Sequence, residues 1–287
     1  MFSVSSRWPS AQEWPAKLPQ LGAFLAVDRP SLADQVAAVP DALLVQFGQR
    51  CFNRLARHWQ IEPGWSVEQV YGRPDFPKVL RQHLLGRFDV AVDGSDAHRQ
   101  ARWLCIDCDA GGTLADEWYG VMVLYRVLLA LGLSPWCEVH PDGCRLWVWL
   151  NTPLPVRLVA QMGQRLIAWA ADAQHIDADA FHVYPDCCEA ATSGHVIAAA
   201  VPLPFTLLDT GGFAPWVDVR GKVQHGPTLM DALSWLCRQP LTPSGNMLIA
   251  AHTLSTANQL GPQGMRQLRD VPLSQVTPWL RAQGVYQ

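Results

Sequence analysis

Residues Arg102-Trp103-Leu104-Cys105-Ile106-Asp107-Cys108-Asp109 form an apolar run that ends in two acids, and Gly111-Gly112 follows at once. A short apolar run bounded by a glycine turn reads as a buried strand. Side chains alternate along a strand, so Asp107 and Asp109 share one face while Leu104, Ile106 and Cys108 share the other. Two carboxylates on one face sit about 6–7 Å apart at the backbone. Like charges at the end of a buried strand are costly without a cation. A divalent metal, Mg²⁺ or Mn²⁺, is the natural counter-charge for such oxygen ligands. A plainer reading keeps the acids as a strand end that caps the next helix.

Downstream, Leu114 to Leu131 predicts a helix with an apolar stripe through Trp118, Val121, Met122, Tyr125 and Leu128, introduced by Thr113 and Asp116 as a capping box. Residues 135–150 predict a β-hairpin turning at Pro141-Asp142-Gly143, and Val156 to Ala173 a second helix. Strand and loop follow over 175–208, with a buried run from Val196 to Val201, then a helix over 228–238. Upstream, residues 77–85 predict a short helix stopped by Gly86, and Phe88 to Val92 a strand. Residues 31–59 read as helical, capped at Ser31 and broken at Pro40. The order of elements makes an α+β domain at 65–240, with mainly helical segments at 1–64 and 241–287.

Other candidates lie on this frame. Arg145, Trp147 and Trp149 share a face of the hairpin, where an arginine beside two indoles can grip a phosphate and stack on a base. A third acid for the metal comes from Asp177, Asp179 or Asp186. Cys105 and Cys108 point to opposite faces of one strand and so make no zinc pair. A zinc site from Cys137, Cys144 and His140 is a lesser alternative, and buried thiols suit the cysteines better.

The 287 residues are 49% hydrophobic and 16% charged, with a net charge of -3. This is the composition of a folded protein without a global footprint for nucleic acid, so a nucleic-acid face has to be local. Lys17, Lys78 and Lys222 are the lysines, and arginine carries the remaining positive charge. That bias suits phosphate contacts and equally a GC-rich genome. No signal peptide or membrane-crossing run is expected, and the eight cysteines fit reduced thiols in a cytoplasmic protein.

Taken in order, these pieces resemble the archaeo-eukaryotic primase superfamily, especially the primase-polymerase-like domains of mobile elements and conflict systems. The resemblance rests on His83-Leu84-Leu85-Gly86 before the first catalytic strand, then Leu104 to Asp109. The aromatic hairpin Gly143 to Trp149 comes next, followed by Tyr184-Pro185 and Gly194 to Leu203. It implies a primase core with a small antiparallel sheet of RRM-like order, helices on one face and an active face on the other. Further implications are nucleotidyl transfer on a single-stranded DNA or RNA template, with nucleoside triphosphates as substrates and a helicase or nuclease as a candidate partner. Asp107, Asp109 and Asp177 would hold the metals. Gly143, Arg145, Trp147 and His195 would bind the nucleotide. One departure stands out: the family's hairpin histidine falls on Arg145. That leaves a catalytically decayed binding module as the alternative, with a metal-dependent hydrolase as a third reading. Loss of Asp107 is expected to cost activity and no stability.

Overall fold

The computed structural model describes residues 31–52, 58–61, 67–70, 75–87, 89–96, 98–109, 114–140, 143–186, 200–205, 213–218 and 222–260. In chain order the first elements are α1 (Leu32–Ala38), α2 (Asp41–Cys51), β1 (His58–Ile61), β2 (Val67–Val70), α3 (Phe76–Leu84) and β3 (Asp89–Asp93). The centre follows with β4 (Gln100–Asp109), α4 (Leu114–Ala130), β5 (Trp136–His140), β6 (Gly143–Pro155), α5 (Val156–Gln174) and β7 (Phe181–Tyr184). Last come β8 (Ala200–Pro202), β9 (Trp216–Val217), α6 (Leu229–Arg238) and α7 (Ser244–Leu260).

The main sheet has the strand order β7-β4-β6-β5-β9, with every neighbouring pair antiparallel. Its first four strands run strand, helix, strand, strand, helix, strand through the chain. The first strand of that set, β4, lies beside the fourth and third, which is the RRM-like order expected above. Each helical crossover returns the chain to a strand parallel to the one it left, so α4 and α5 land on the same face. That face is apolar because Leu104, Ile106, Cys108, Leu146 and Val148 alternate onto it. Met122, Leu124, Val159, Met162, Met247 and Leu254 from α4, α5 and α7 pack against them.

The opposite face differs from expectation. It is covered as well, because β4 and β6 are apolar on both sides and a strand without a polar face has to be buried twice. Trp103, Cys105, Trp147, Trp149 and Trp216 face a second core filled by Val36, Leu44, Phe47, Leu80, Val201 and Leu233. Trp147 and Trp149 stack 5.5 Å apart with their planes 3° from parallel. Trp103 stands edge-on to Trp147 and donates its indole N–H to the Cys51 carbonyl, 2.9 Å away. A second sheet of order β2-β1-β3-β8 borders this core. The helices of both chain ends contribute to the two cores, α1 and α2 to one and α7 to the other.

Two local expectations change. Helix α2 stops at Cys51, and His58–Ile61 is a strand paired on both sides, with β2 and β3. Four residues hold too little periodicity to separate helix from strand, and the partner strands decide. The second hairpin arm runs on to Pro155, where it pairs with Gln100. The expected helix at 77–85 forms as α3, with Asp75 accepting from the Lys78 N–H and Pro77 in the first turn. The Thr113 capping box and the Pro141-Asp142 turn lie outside the described residues.

Helix α5 approaches the sheet through Gly163. A methyl group there would come within 2.5 Å of Val183 Cγ1 and 2.9 Å of Leu104 Cδ1. Alanine gains about 1 kcal/mol of helix propensity over glycine, while forcing atoms into a packed core costs about 1–3 kcal/mol. Gly163→Ala is therefore expected to lower the unfolding midpoint in denaturant, and adding Val183→Ala is expected to recover part of the loss. An unchanged or raised midpoint for the single variant would show that the helix can lift off the sheet freely.

Candidate active site

One rung of the main sheet carries the candidate site. Strand register places His182 (β7), Asp107 (β4), Arg145 (β6), Glu138 (β5) and Trp216 (β9) side by side. Residues paired across strands project to the same face. This is the last full rung before the sheet ends, and the next one on that face joins Asp109, Gly143 and His140. Above it the face becomes aromatic, with Cys105 opposite both Trp147 and Tyr184. The sheet is polar at one end because apolar alternation on β4 gives way to Asp107 and Asp109.

Asp107 is the hub. Its Oδ2 accepts from Arg145 Nε at 3.2 Å, and its Oδ1 accepts from His140 Nε2 at 3.1 Å. A carboxylate only accepts, so the His140 proton sits on Nε2 in this contact. His140 comes from β5, two strands from Asp107. Gly143 lies between His140 and Asp109 in the rung and brings no side chain, which leaves room for the imidazole to cross. The side chains of Asp107, His140 and Arg145 are 15%, 4% and 8% exposed, so the cluster sits at the lip of the closed core.

Glu138 completes the cluster from below and is fully buried. It accepts from the Phe205 backbone N–H at 2.6 Å and from Trp147 Nε1 at 3.2 Å. Burial pushes the Glu138 carboxyl up, and the charges of Arg145 and His140 offset this only in part. Burial pushes Asp107 the same way, but the His140 hydrogen bond and the Arg145 charge outweigh it and hold the carboxyl below its ordinary range. For Arg145, burial works against the charge, and the two carboxylates overcome it, so the guanidinium is held more firmly protonated than usual. Arg145 Nη1 is buried without a hydrogen-bond partner among the described residues.

The other candidates fall into three groups. Trp147 and Trp149 share the face of Arg145 as the alternation requires, but both are closed into the second core. Trp147 has one ring face on Trp149 and its N–H on Glu138, so neither ring has a face for a base. The expected stacking role is replaced by a structural one, because the apolar face of β6 demands cover. Asp177 and Asp179 are exposed beside a short 3-10 turn (Ala178–Ala180), and Asp177 accepts from the Asp179 N–H at 3.1 Å. Phe181 pairs with Cys108, so that turn leads into β7 at the Asp109 end of the sheet, whereas Asp186 follows β7 at the other end. His195 lies outside the described residues, as does the side chain of Asp109. Among the described residues no group of three or more His, Cys, Asp or Glu is arranged to hold a metal. Cys105 and Cys108 belong to different cores, as alternation predicts.

Sequence reading missed His140 and Glu138 as members of this site. A signal existed: both lie on the first hairpin arm at the spacing that places them on one face, directly across from Gly143 and Arg145.

No family model matches the chain, and no curated protein matches it. Among solved structures it is similar to the AEP domain of the cyanophage S-2L primase-polymerase, with 14% identity, a TM-score of 0.34, and coverage of 68% of this chain and 93% of that one. It is also similar to the polymerase domain of Mycobacterium tuberculosis Ligase D, solved in complex with DNA. There the identity is 13% and the TM-score 0.39, with coverage of 84% of this chain and 92% of the other. Likeness at these scores carries neither an activity nor a site residue across. The architecture itself is α+β with an RRM-ordered antiparallel sheet. No helix among the described residues is long and apolar enough to cross a membrane.

The pair of Asp107 and Arg145 overturns the expectation that Asp107 is dispensable for stability. Removing it leaves a nearly buried guanidinium short of one of its two anions. Breaking a buried pair on one side costs about 3–5 kcal/mol, and Glu138 keeps the loss near the lower figure. Asp107→Ala is expected to lower stability accordingly in chemical denaturation at neutral pH. Since the folded carboxyl is held low, its contribution is present above the ordinary carboxylate range and lost as pH falls through the folded value. The gap between wild type and variant should thus be flat near neutrality and close in acid. A gap that is absent at pH 7 would refute the pairing.

Proposed function

We propose that this chain is a template-dependent nucleotidyltransferase of the primase or primase-polymerase kind, acting on single-stranded nucleic acid. The observation that carries the reading is Asp107, an anionic carboxylate at the end of the central strand of an RRM-ordered sheet, with Asp109 one pleat further and Arg145 and His140 against it. The family histidine is absent at position 145, but His140 brings an imidazole to Asp107 from β5, which supports an intact site over a decayed one.

Asp107 fits a hard divalent cation. It is anionic, and each of its oxygens accepts one hydrogen bond, which leaves a lone pair on each. Carboxylate oxygens are the ligands that Mg²⁺ and Mn²⁺ take. In this reading Asp107 and Asp109 hold the metal, with Asp177 as the third acid because its turn lies at their end of the sheet. Bound there, divalent ions supply Lewis-acid stabilisation of phosphoryl oxygens and a more acidic 3′-hydroxyl. His140 orients Asp107 by donating to Oδ1. Arg145 stays charged at all working pH values, and its guanidinium supplies the positive charge that draws the incoming triphosphate to this end of the sheet. Catalysis then rests on position and charge, as phosphoryl transfer requires.

A second reading is favoured by the same ion pair. Arg145 already supplies a cation to Asp107, so the domain would bind nucleic acid or a helicase or nuclease partner without chemistry. Primer extension and dinucleotide synthesis on a single-stranded template with Mg²⁺ or Mn²⁺ separate the two. Asp109→Asn is the informative variant, because it leaves the Asp107–Arg145 pair intact. Metal-dependent products are expected from wild type, with a loss of at least a hundred-fold in Asp109→Asn. A wild type that binds single strands without metal and extends nothing would transfer the conclusion to the second reading.

A further inference from the structure

At the end of the main sheet opposite Asp107 lies a cavity of about 240 Å³. Helix α2 lines it with Gln46, Gln49 and Arg50, β4 with Arg102, and β6 with Trp149 and Asn151. Arg102 precedes Asp107 by five strand positions, roughly 17 Å at the spacing of extended chain. The cavity therefore stands apart from the acidic rung and from the triphosphate site proposed there.

Its charge is one-sided. Two guanidinium groups line it, and no carboxylate does among the described residues. Arg102 is half-buried and makes no hydrogen bond or ion pair among the described residues. Arg50 is fixed: Nη1 donates to the Cys237 carbonyl at 3.3 Å, Nη2 to the Gln239 carbonyl at 2.9 Å, and the group lies 4.9 Å over the Trp149 ring. Its Nε is buried without a partner among the described residues, and so is Trp149 Nε1. The Oδ1 of Asn151 accepts from the Ser244 N–H at 2.9 Å, which leaves its amide NH₂ as the free group. Two guanidinium groups and the Asn151 amide thus line one concavity that has no carboxylate among the described residues. Burial disfavours the charge on Arg50, so an anion placed there would be stabilising.

A bland role accounts for part of this. Arg50 ties the segment after α6 to α2, and that explains its position without a ligand. It does not explain a second guanidinium, Arg102, left beside it without a partner among the described residues. Guanidinium forks match phosphate and carboxylate oxygens. Two of them with no compensating acid match a dianion better than a monoanion.

We infer that this cavity binds a phosphate dianion, either free or as the terminal phosphate of a nucleotide or a nucleic-acid strand. Arg102 and the Asn151 amide close on the ligand, Arg50 supplies a fixed positive charge from below, and the volume beyond one phosphate admits the group that carries it. The inference is independent of catalysis at Asp107.

Isothermal titration of the full chain with inorganic phosphate tests it, with acetate as the monoanion control. Arg102→Gln is expected to weaken phosphate at least ten-fold, and Arg50→Lys to weaken it as well, while Asp109→Asn leaves it unchanged. Single strands with and without a terminal phosphate then separate the sources. Tighter binding of the phosphorylated strand, lost in Arg102→Gln, assigns the site to strand ends. Equal strands beside measurable inorganic phosphate assign it to small phosphates. Absence of phosphate binding in wild type, phosphate binding by Arg102→Gln as tight as wild type, or acetate bound as tightly as phosphate would overturn the proposal.

Discussion

The structure depends on a sheet that is apolar on both faces and therefore buried twice. Burial of β4 and β6 between two cores removes water from their middle residues, Trp103 to Ile106 and Cys144 to Leu150. A carboxylate and a guanidinium survive at the sheet end only because they face each other. Asp107 and Arg145 are direct partners across the β4–β6 ladder, and Glu138 adds a second anion from β5. Each charge would be costly alone in this position. Their mutual placement turns the end of a hydrophobic sheet into a charged cluster that can persist at the lip of the core.

That constraint also explains the aromatic residues. A face carrying Trp103, Trp147, Trp149 and Trp216 resembles a stacking platform when the hairpin is considered alone. Here a layer built from α1–α3, α6 and the second sheet closes over it. The indoles became the floor of the second core, and two of their N–H groups became its polar handles: Trp103 to Cys51, Trp147 to Glu138. The link from Trp147 to Glu138 couples the core to the charged rung, so packing of the tryptophans helps hold Glu138 where Arg145 needs it. A polar site at the edge of so large an aromatic core is positioned by rigid elements rather than by loops.

The imidazole beside Asp107 has a similar logic. A histidine on the β6 arm would have reached Asp107 from the adjacent strand. Arginine stands there instead, and His140 arrives from one strand further away, over the glycine at position 143. A donor imidazole and a cation converge on one carboxylate from two neighbouring strands. Adjacent antiparallel strands offer more than one route to the same point.

Local pattern determined much of this protein. Alternation in Arg102 to Asp109 established a buried strand with two acids on one side. Periodicity in 114–131 and 156–173 established two crossover helices, and the order of elements established an α+β domain, to which the resemblance added an RRM-like sheet. Alternation also assigned Cys105 and Cys108 to opposite faces. These features depend on spacing within a few residues, which a sequence displays directly. Tertiary structure alone decided what covered the far face, and so whether Trp147 would meet a base or a core. It decided that His58–Ile61 pairs as a strand, that His140 and Glu138 join Asp107, and that two distant arginines, Arg50 and Arg102, line one cavity. Each of those outcomes depends on residues brought together from segments tens to hundreds of positions apart. No local period encodes such contacts, because they arise only when burial of one surface selects its partner from the rest of the chain.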